Sequence, residues 1–165
     1  MAMRIEQATK FDVERVAVGM RNRDFVEFRA LALADTREEL AADLGRRYGD
    51  RHDVLCVWHG ERRVAVGGLI ETRPNVISLL FYATDNFADV VLPLTKFIKR
   101  ELFPRYIKAG VHRIEALSMV TYQEAHDWLN LLGLSLEGVM VAYGKRREAF
   151  AMFAMVVNDP GQAGA

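Results

Sequence analysis

The spacing of apolar residues changes period several times along the chain, and each change marks a predicted element. MRIEQAT (3–9) alternates apolar and polar positions and predicts a strand, with Asp12 next as the N-cap of a helix over VERVAVGMR. A second helical stretch, RDFVEFRALAL, continues after Asn22. Thr36 opens TREELAADLGRRYG; Thr36 and Glu39 have capping-box spacing, and Gly49 follows as the C-cap. DVLCVWHG and RRVAVGGLIET are β-rich runs that predict a hairpin across Gly60-Glu61. VISLLFYA (76–83) is apolar throughout, which predicts a strand buried on both faces.

That strand runs into a long helix, from about Asp89 to Ala109, ending at Gly110. Pro93 falls in its first turns, and Pro104 predicts a break near Phe103. HRIEALSMV (112–120) predicts a strand, TYQEAHDWLNLLG (121–133) a short helix closed by Gly133, and SLEGVMVAY with EAFAMFAMVV a final strand pair around Gly144-Lys145. The order β-α-α-β-β-β-α-β-α-β-β mixes meanders with one strand–helix–strand crossover. It predicts an α/β (mixed α+β) domain: a central mixed, mostly antiparallel sheet with helices on both faces.

Composition narrows the classes of function. The 165 residues suit one domain over 1–157, followed by a flexible tail at 158–165. Twenty-two basic residues balance 22 acidic ones, so no global field favours nucleic acid or an anionic membrane. The single cysteine, Cys56, lies in the apolar run VLCVW, where a buried structural thiol in a reducing compartment is expected. No apolar stretch reaches the roughly 18 residues of a membrane span, and MAMRIEQATK has no signal-peptide core, so a cytoplasmic protein is expected. His52, His59, His112 and His126 are scattered without metal-ligand spacing, and no metal is expected.

The segment EAHDWLNLLGLSLEGVMVAYG, with Ala125, Leu-Gly-Leu at 132–134 and Glu137-Gly138, resembles the "A…LGF…EG" segment of the GNAT superfamily of acyl-CoA-dependent N-acetyltransferases. IEQATKFDVERVA is similar to that family's opening strand and first helix, so the resemblance covers nearly the whole chain. It implies a GNAT-like sheet with a splayed middle strand pair, and acetyl-CoA or CoA at the fourth strand and the helix after it. Backbone groups of Phe81, Tyr82 and Ala83 would pair with the pantetheine arm as an added strand. Family members then carry a glycine-rich loop, Arg/Gln-x-x-Gly-x-Gly/Ala, whose amides approach the diphosphate. Here the matching residues are Thr84-Asp85-Asn86-Phe87-Ala88-Asp89, without glycine or basic residue. Asp85, Asn86 or Asp89 is expected to cap the helix, leaving amides around Asn86, Phe87 and Ala88 to touch phosphate weakly. Lys96, Lys99 and Arg100 lie one to three turns along, as a solvated helix face or a lateral phosphate contact.

The chemistry implied by the resemblance is thinned as well. The tyrosine that protonates the leaving thiolate would stand four residues before Gly133, where this chain has Leu129. The asparagine that opens the same helix falls on Tyr122. Tyr122 and Ser118 are therefore the candidate proton donors, and Glu71 and Glu27 the candidate bases. A narrower similarity, a strand ending in an aromatic and Thr-Asp before a lysine-rich helix, points to GNAT-fold internal virion proteins of short-tailed phages. Two expectations follow. One is an acyl-CoA-dependent N-acetyltransferase with a degenerate phosphate loop, acting on a small-molecule or protein amine. The other is a non-catalytic phage or prophage protein, located in the virion and working through contacts with other virion proteins. A homodimer is compatible with either, with Met140, Phe150 and Phe153 serving a dimer face as readily as the core.

Overall fold

A computed structural model describes residues 2–159. Residues 160–165 of the expected tail lie outside the described residues. Seven strands form one sheet in the order β1-β2-β3-β4-β5-β7-β6. They are β1 (Met3–Gln7), β2 (Val54–His59), β3 (Arg62–Arg73), β4 (Val76–Ala83), β5 (Arg113–Met119), β6 (Ser135–Met140) and β7 (Phe150–Val156). All neighbours are antiparallel except β4 and β5. That parallel pair follows from the crossover helix between them.

Three helices precede β2: α1 (Lys10–Val18), α2 (Asn22–Ala30) and α3 (Arg37–Tyr48). α1 and α2 are parted around Met20, which forms a β-bridge with Thr84, so three helices precede β2 where the expected order β-α-α-β has two. The cap of α1 is Thr9 rather than Asp12. Asp12 closes the capping box from the third position, accepting from the Thr9 amide at 2.9 Å while the Thr9 hydroxyl accepts from Asp12 at 3.1 Å. Thr36 caps α3 as expected, bonding the Glu39 amide at 3.1 Å. Gly49 ends α3 without a left-handed turn; Asp50 takes that conformation, at φ 61°.

The crossover begins with a 3₁₀ turn (Asp85–Asp89) and continues as α4 (Val91–Phe97), a π turn (Ile98–Leu102) and α5 (Phe103–Lys108). Pro104 does not break it. The Phe103 amide bonds back to the Ile98 carbonyl, and this widened turn absorbs the proline, which has no amide to give. A last helix, α6 (Gln123–Leu131), packs on the same face.

The sheet carries a core on each face. Odd-numbered residues of β4 (Ile77, Leu79, Phe81, Ala83) pack with Val90, Leu94, Ile98 and Leu129. Even-numbered ones (Leu80, Tyr82) pack with α1 and α3 through Val13, Val16, Leu40 and Leu44. Burial on both faces explains the unbroken apolar run that predicts this strand. Phe150 and Phe153 belong to the core, at 0% and 3% exposure, and are not available to a dimer face; Met140 is half-buried. Cys56 is fully buried, and desolvation pushes its thiol up to about 12, so it is an inert core side chain.

β2 and β3 meet tightly at Gly68, which pairs with Val54. A Cβ there would collide with the Asp53 carbonyl and stand 3.2 Å from the Val54 Cα. Gly68→Ala is expected to cost about 2 kcal/mol, read by urea unfolding. Gly138→Ala, where nothing lies within 4 Å, serves as the neutral control.

Candidate functional site

β4 and β5 pair only over Val76–Ser78 and Arg113–Glu115. Beyond Ser78 they diverge, and the gap opens a cleft of about 700 Å³ that reaches both faces of the sheet. Its walls include Leu40 and Leu44 of α3 on one side and Phe87, Val91 and Trp128 on the other. Backbone groups alternate between strand edges, so those of Leu79 and Phe81 face the gap, as those of Ala83 do.

Two strands that separate leave polar edges without a ladder partner, which is costly in a buried setting. Helix α2 answers this with two carboxylates three residues apart, on one helix face. Asp24 accepts from the Ala83 amide at 2.9 Å, at the end of β4, and the Arg21 amide donates to the Ala83 carbonyl at 2.8 Å. Glu27 accepts from the Met119 amide and from the Ser118 hydroxyl, each at 3.1 Å, at the end of β5. Asp24 is itself completed by the Arg21 guanidinium at 3.0 and 3.1 Å and by the Tyr122 hydroxyl at 2.7 Å. A buried carboxylate is sustained only by such donors.

The two acids differ electrostatically. Burial raises Glu27 to about 7, helped by the nearby charge of Asp24 and opposed by its bonds to Met119 and Ser118. Both of those bonds end on Oε2, so the proton that the carboxyl takes up belongs on Oε1. Burial and the neighbouring Asp24 charge push the Tyr122 phenol above its ordinary value, which keeps it a hydrogen-bond donor.

At the start of the crossover, the Thr84 hydroxyl accepts from the Asn86 amide at 3.3 Å. The Phe87 amide bonds the Thr84 carbonyl and the Val90 amide bonds the Phe87 carbonyl. Thus threonine, not the expected Asp85, Asn86 or Asp89, caps this turn, and both aspartates are exposed. Phe87 turns inward instead. Its ring lies 5.3 Å from those of Phe81 and Trp128, which are 4.6 Å apart, and the Arg21 guanidinium lies 4.8 Å over it. The Trp128 indole donates to the Thr95 hydroxyl at 2.9 Å.

Of the residues singled out in the sequence, Ser118, Tyr122, Phe81, Phe87, Ala88 and Glu27 all line this cleft. Ala83 contributes a backbone edge that Asp24 and Arg21 already occupy, and Asn86 sits half-buried beside it. Tyr82 faces away: its hydroxyl donates to the Val13 carbonyl at 3.0 Å and its backbone is turned toward β3. Glu71 is not brought to the cleft. It is exposed and alternates with Ile70 and Thr72, which are the residues that line it. Asp24 is the anchor that pattern reading missed; its signal was a carboxylate placed one turn before Glu27. Among the described residues, no group of three or more His, Cys, Asp or Glu could hold a metal ion, and no helix is long and apolar enough to cross a membrane.

No protein-family model matches the sequence, and no curated protein does. Solved structures do match. The fold is similar to that of yncA from Salmonella typhimurium, described with its cofactor acetyl-CoA (17% identity, 96% of each chain, TM-score 0.66). It is also similar to the ribosomal-protein-S18-alanine N-acetyltransferase of Escherichia coli (12% identity, 98% of each chain, TM-score 0.67). A GNAT-family acetyltransferase of Streptococcus pneumoniae matches at 14% identity over 95% of this chain and 100% of that one, with TM-score 0.64. The chain therefore has the GNAT acetyltransferase fold, with the mixed seven-stranded sheet and splayed middle pair expected of it.

The raised pKa of Glu27 makes the stability of the fold depend on pH. Folded Glu27 holds its proton up to about 7, whereas the ordinary value is 4.5, so between these values the folded state binds more protons. Its contribution is fully present below 4.5 and is lost as pH rises through about 7. Chemical denaturation of the wild type should show that fall, and Glu27→Gln should flatten it.

Proposed function

We propose that the chain is an N-acyltransferase that uses the splayed cleft to bring an amine to a pantetheine thioester, with Glu27 as general base. The observation that carries this reading is a carboxyl group near neutrality on the wall of a cleft that opens to both faces of the sheet. A base is most effective when its pKa lies near the working pH. Here Glu27 accepts the proton of the incoming ammonium on Oε1, while Ser118 and the Met119 amide hold Oε2 in place. Tyr122 and Ser118 spend their hydroxyl protons on Asp24 and Glu27, so both act as positioning residues.

The cleft fits one part of acyl-CoA better than the other. The free-facing edge at Leu79 and Phe81 suits strand-like pairing with a pantetheine arm. The diphosphate end does not fit: the Asn86, Phe87 and Val90 amides are bonded within the turn, and Asp85 stands beside it. When bound, the coenzyme would supply the thioester carbonyl as electrophile. An acyl-CoA donor is accordingly held by its arm rather than its phosphates.

Calorimetric titration with acetyl-CoA and with S-acetylpantetheine should give affinities within about threefold of each other, and a large preference for acetyl-CoA would contradict the reading of the turn. Amine-dependent thiol release, followed with a thiol reagent, should rise through a pH of about 7. Glu27→Gln should lower it on the order of 100-fold. Absence of thiol release with either donor would favour the non-catalytic, protein-contact reading of the fold.

A further inference from the structure

The half of the cleft between α2, α3 and β3 carries a chemical preference of its own. Its wall is built mainly from Phe28, Leu31, Leu40, Leu44 and Ile70, with Asp43, Arg47, Tyr48 and Thr72 among its polar members. Carboxylates on this half are matched internally with one exception. Asp24 is paired with Arg21, and Asp43 lies 3.4 Å from Arg46 and 3.7 Å from Arg47. Glu27, among the described residues, has no ion-pair partner; it is held by a hydroxyl and an amide. Asp85 and Glu124 also border the cleft, but they belong to the 3₁₀ turn and to α6, and Glu124 lies 3.6 Å from Arg23.

We propose that the acceptor is a primary monoamine with an apolar body, such as an arylalkyl or alkyl amine. Its nitrogen is directed to Glu27 and its body lies against the α2–α3–β3 wall. The identification rests on the acyltransferase reading for its role as acceptor, but the binding preference stands on the wall alone. A single uncompensated carboxylate suits a single positive charge. A polycation would meet Arg21 and Arg47 in the same wall, and on this half of the cleft Asp24 and Asp43 are already ion-paired. A polar amine such as an amino-acid amide would set polar groups against Leu40, Leu44 and Ile70, which offer them no hydrogen bond, and the few hydroxyls of this wall, Tyr48 and Thr72, cannot match them all.

The test measures binding first, with no acyl donor present. Calorimetry of the full chain with 2-phenylethylamine, spermidine and alaninamide should show 2-phenylethylamine binding at least tenfold more tightly than either of the others. Leu31 is 46% exposed at the mouth of the cleft, so Leu31→Glu is compatible with folding. This substitution adds a second anion and should weaken 2-phenylethylamine while strengthening spermidine. Equal or tighter spermidine binding by the wild type, or a Leu31→Glu variant that folds and changes neither affinity, would overturn the proposal. Turnover then separates the two levels. Acyl transfer to spermidine in preference to 2-phenylethylamine leaves the acyltransferase intact and sinks the monoamine. Tight 2-phenylethylamine binding without transfer keeps the monoamine site and sinks the acyltransferase.

Discussion

The architecture turns on two carboxylates of one short helix, which stand in for the strand that β4 and β5 each lack beyond Ser78. Asp24 holds the end of β4 and Glu27 the end of β5. Without them the diverging edges would expose unpaired amides inside the protein, and the strands would be driven to zip together or to admit water. The gap is therefore a built feature rather than a packing defect. One acid is ion-paired with Arg21 and bonded by the Tyr122 hydroxyl, while the other meets only neutral donors and is raised by burial to about 7.

The start of the crossover tells a complementary story. A glycine loop would present open amides there; this chain folds a 3₁₀ turn on a threonine cap and sends Phe87 into the cleft. Electrostatics and geometry agree at this point, since the Asn86, Phe87 and Val90 amides are bonded internally and Asp85 and Asp89 are exposed carboxylates beside them. Strand-edge recognition needs only backbone, and the edge of β4 beyond Ser78 has no strand beside it.

Much of the fold was legible because period carries it. The continuous apolar run at 76–83, the alternation of 3–9 and the Gly60-Glu61 turn each correspond to an element of the structure. The crossover past Pro104 was not legible, because a π turn answers a missing amide through backbone geometry that no side-chain pattern records. Capping was legible in place at Thr36 but only in kind at two other helix starts. Thr9 and Thr84 do what Asp12 and Asp85 were expected to do, because either residue type can accept from a free amide. For the site, Ser118, Tyr122 and Glu27 were identifiable by position, but their connections span up to 98 residues and depend on how the sheet twists apart. Glu71 failed because its neighbours in the strand, not itself, point into the gap.

The aromatic cluster has a use beyond packing. Trp128 lies in the cleft wall against Phe81 and Phe87, with its indole nitrogen bonded to Thr95. The other tryptophan, Trp58, lies against the guanidinium groups of Arg4 and Arg63 and is not among the residues that line the cleft. Filling the gap therefore alters the surroundings of one indole and leaves the other as a constant background. The molecule thus carries an intrinsic optical gauge of occupancy, readable by emission without any label.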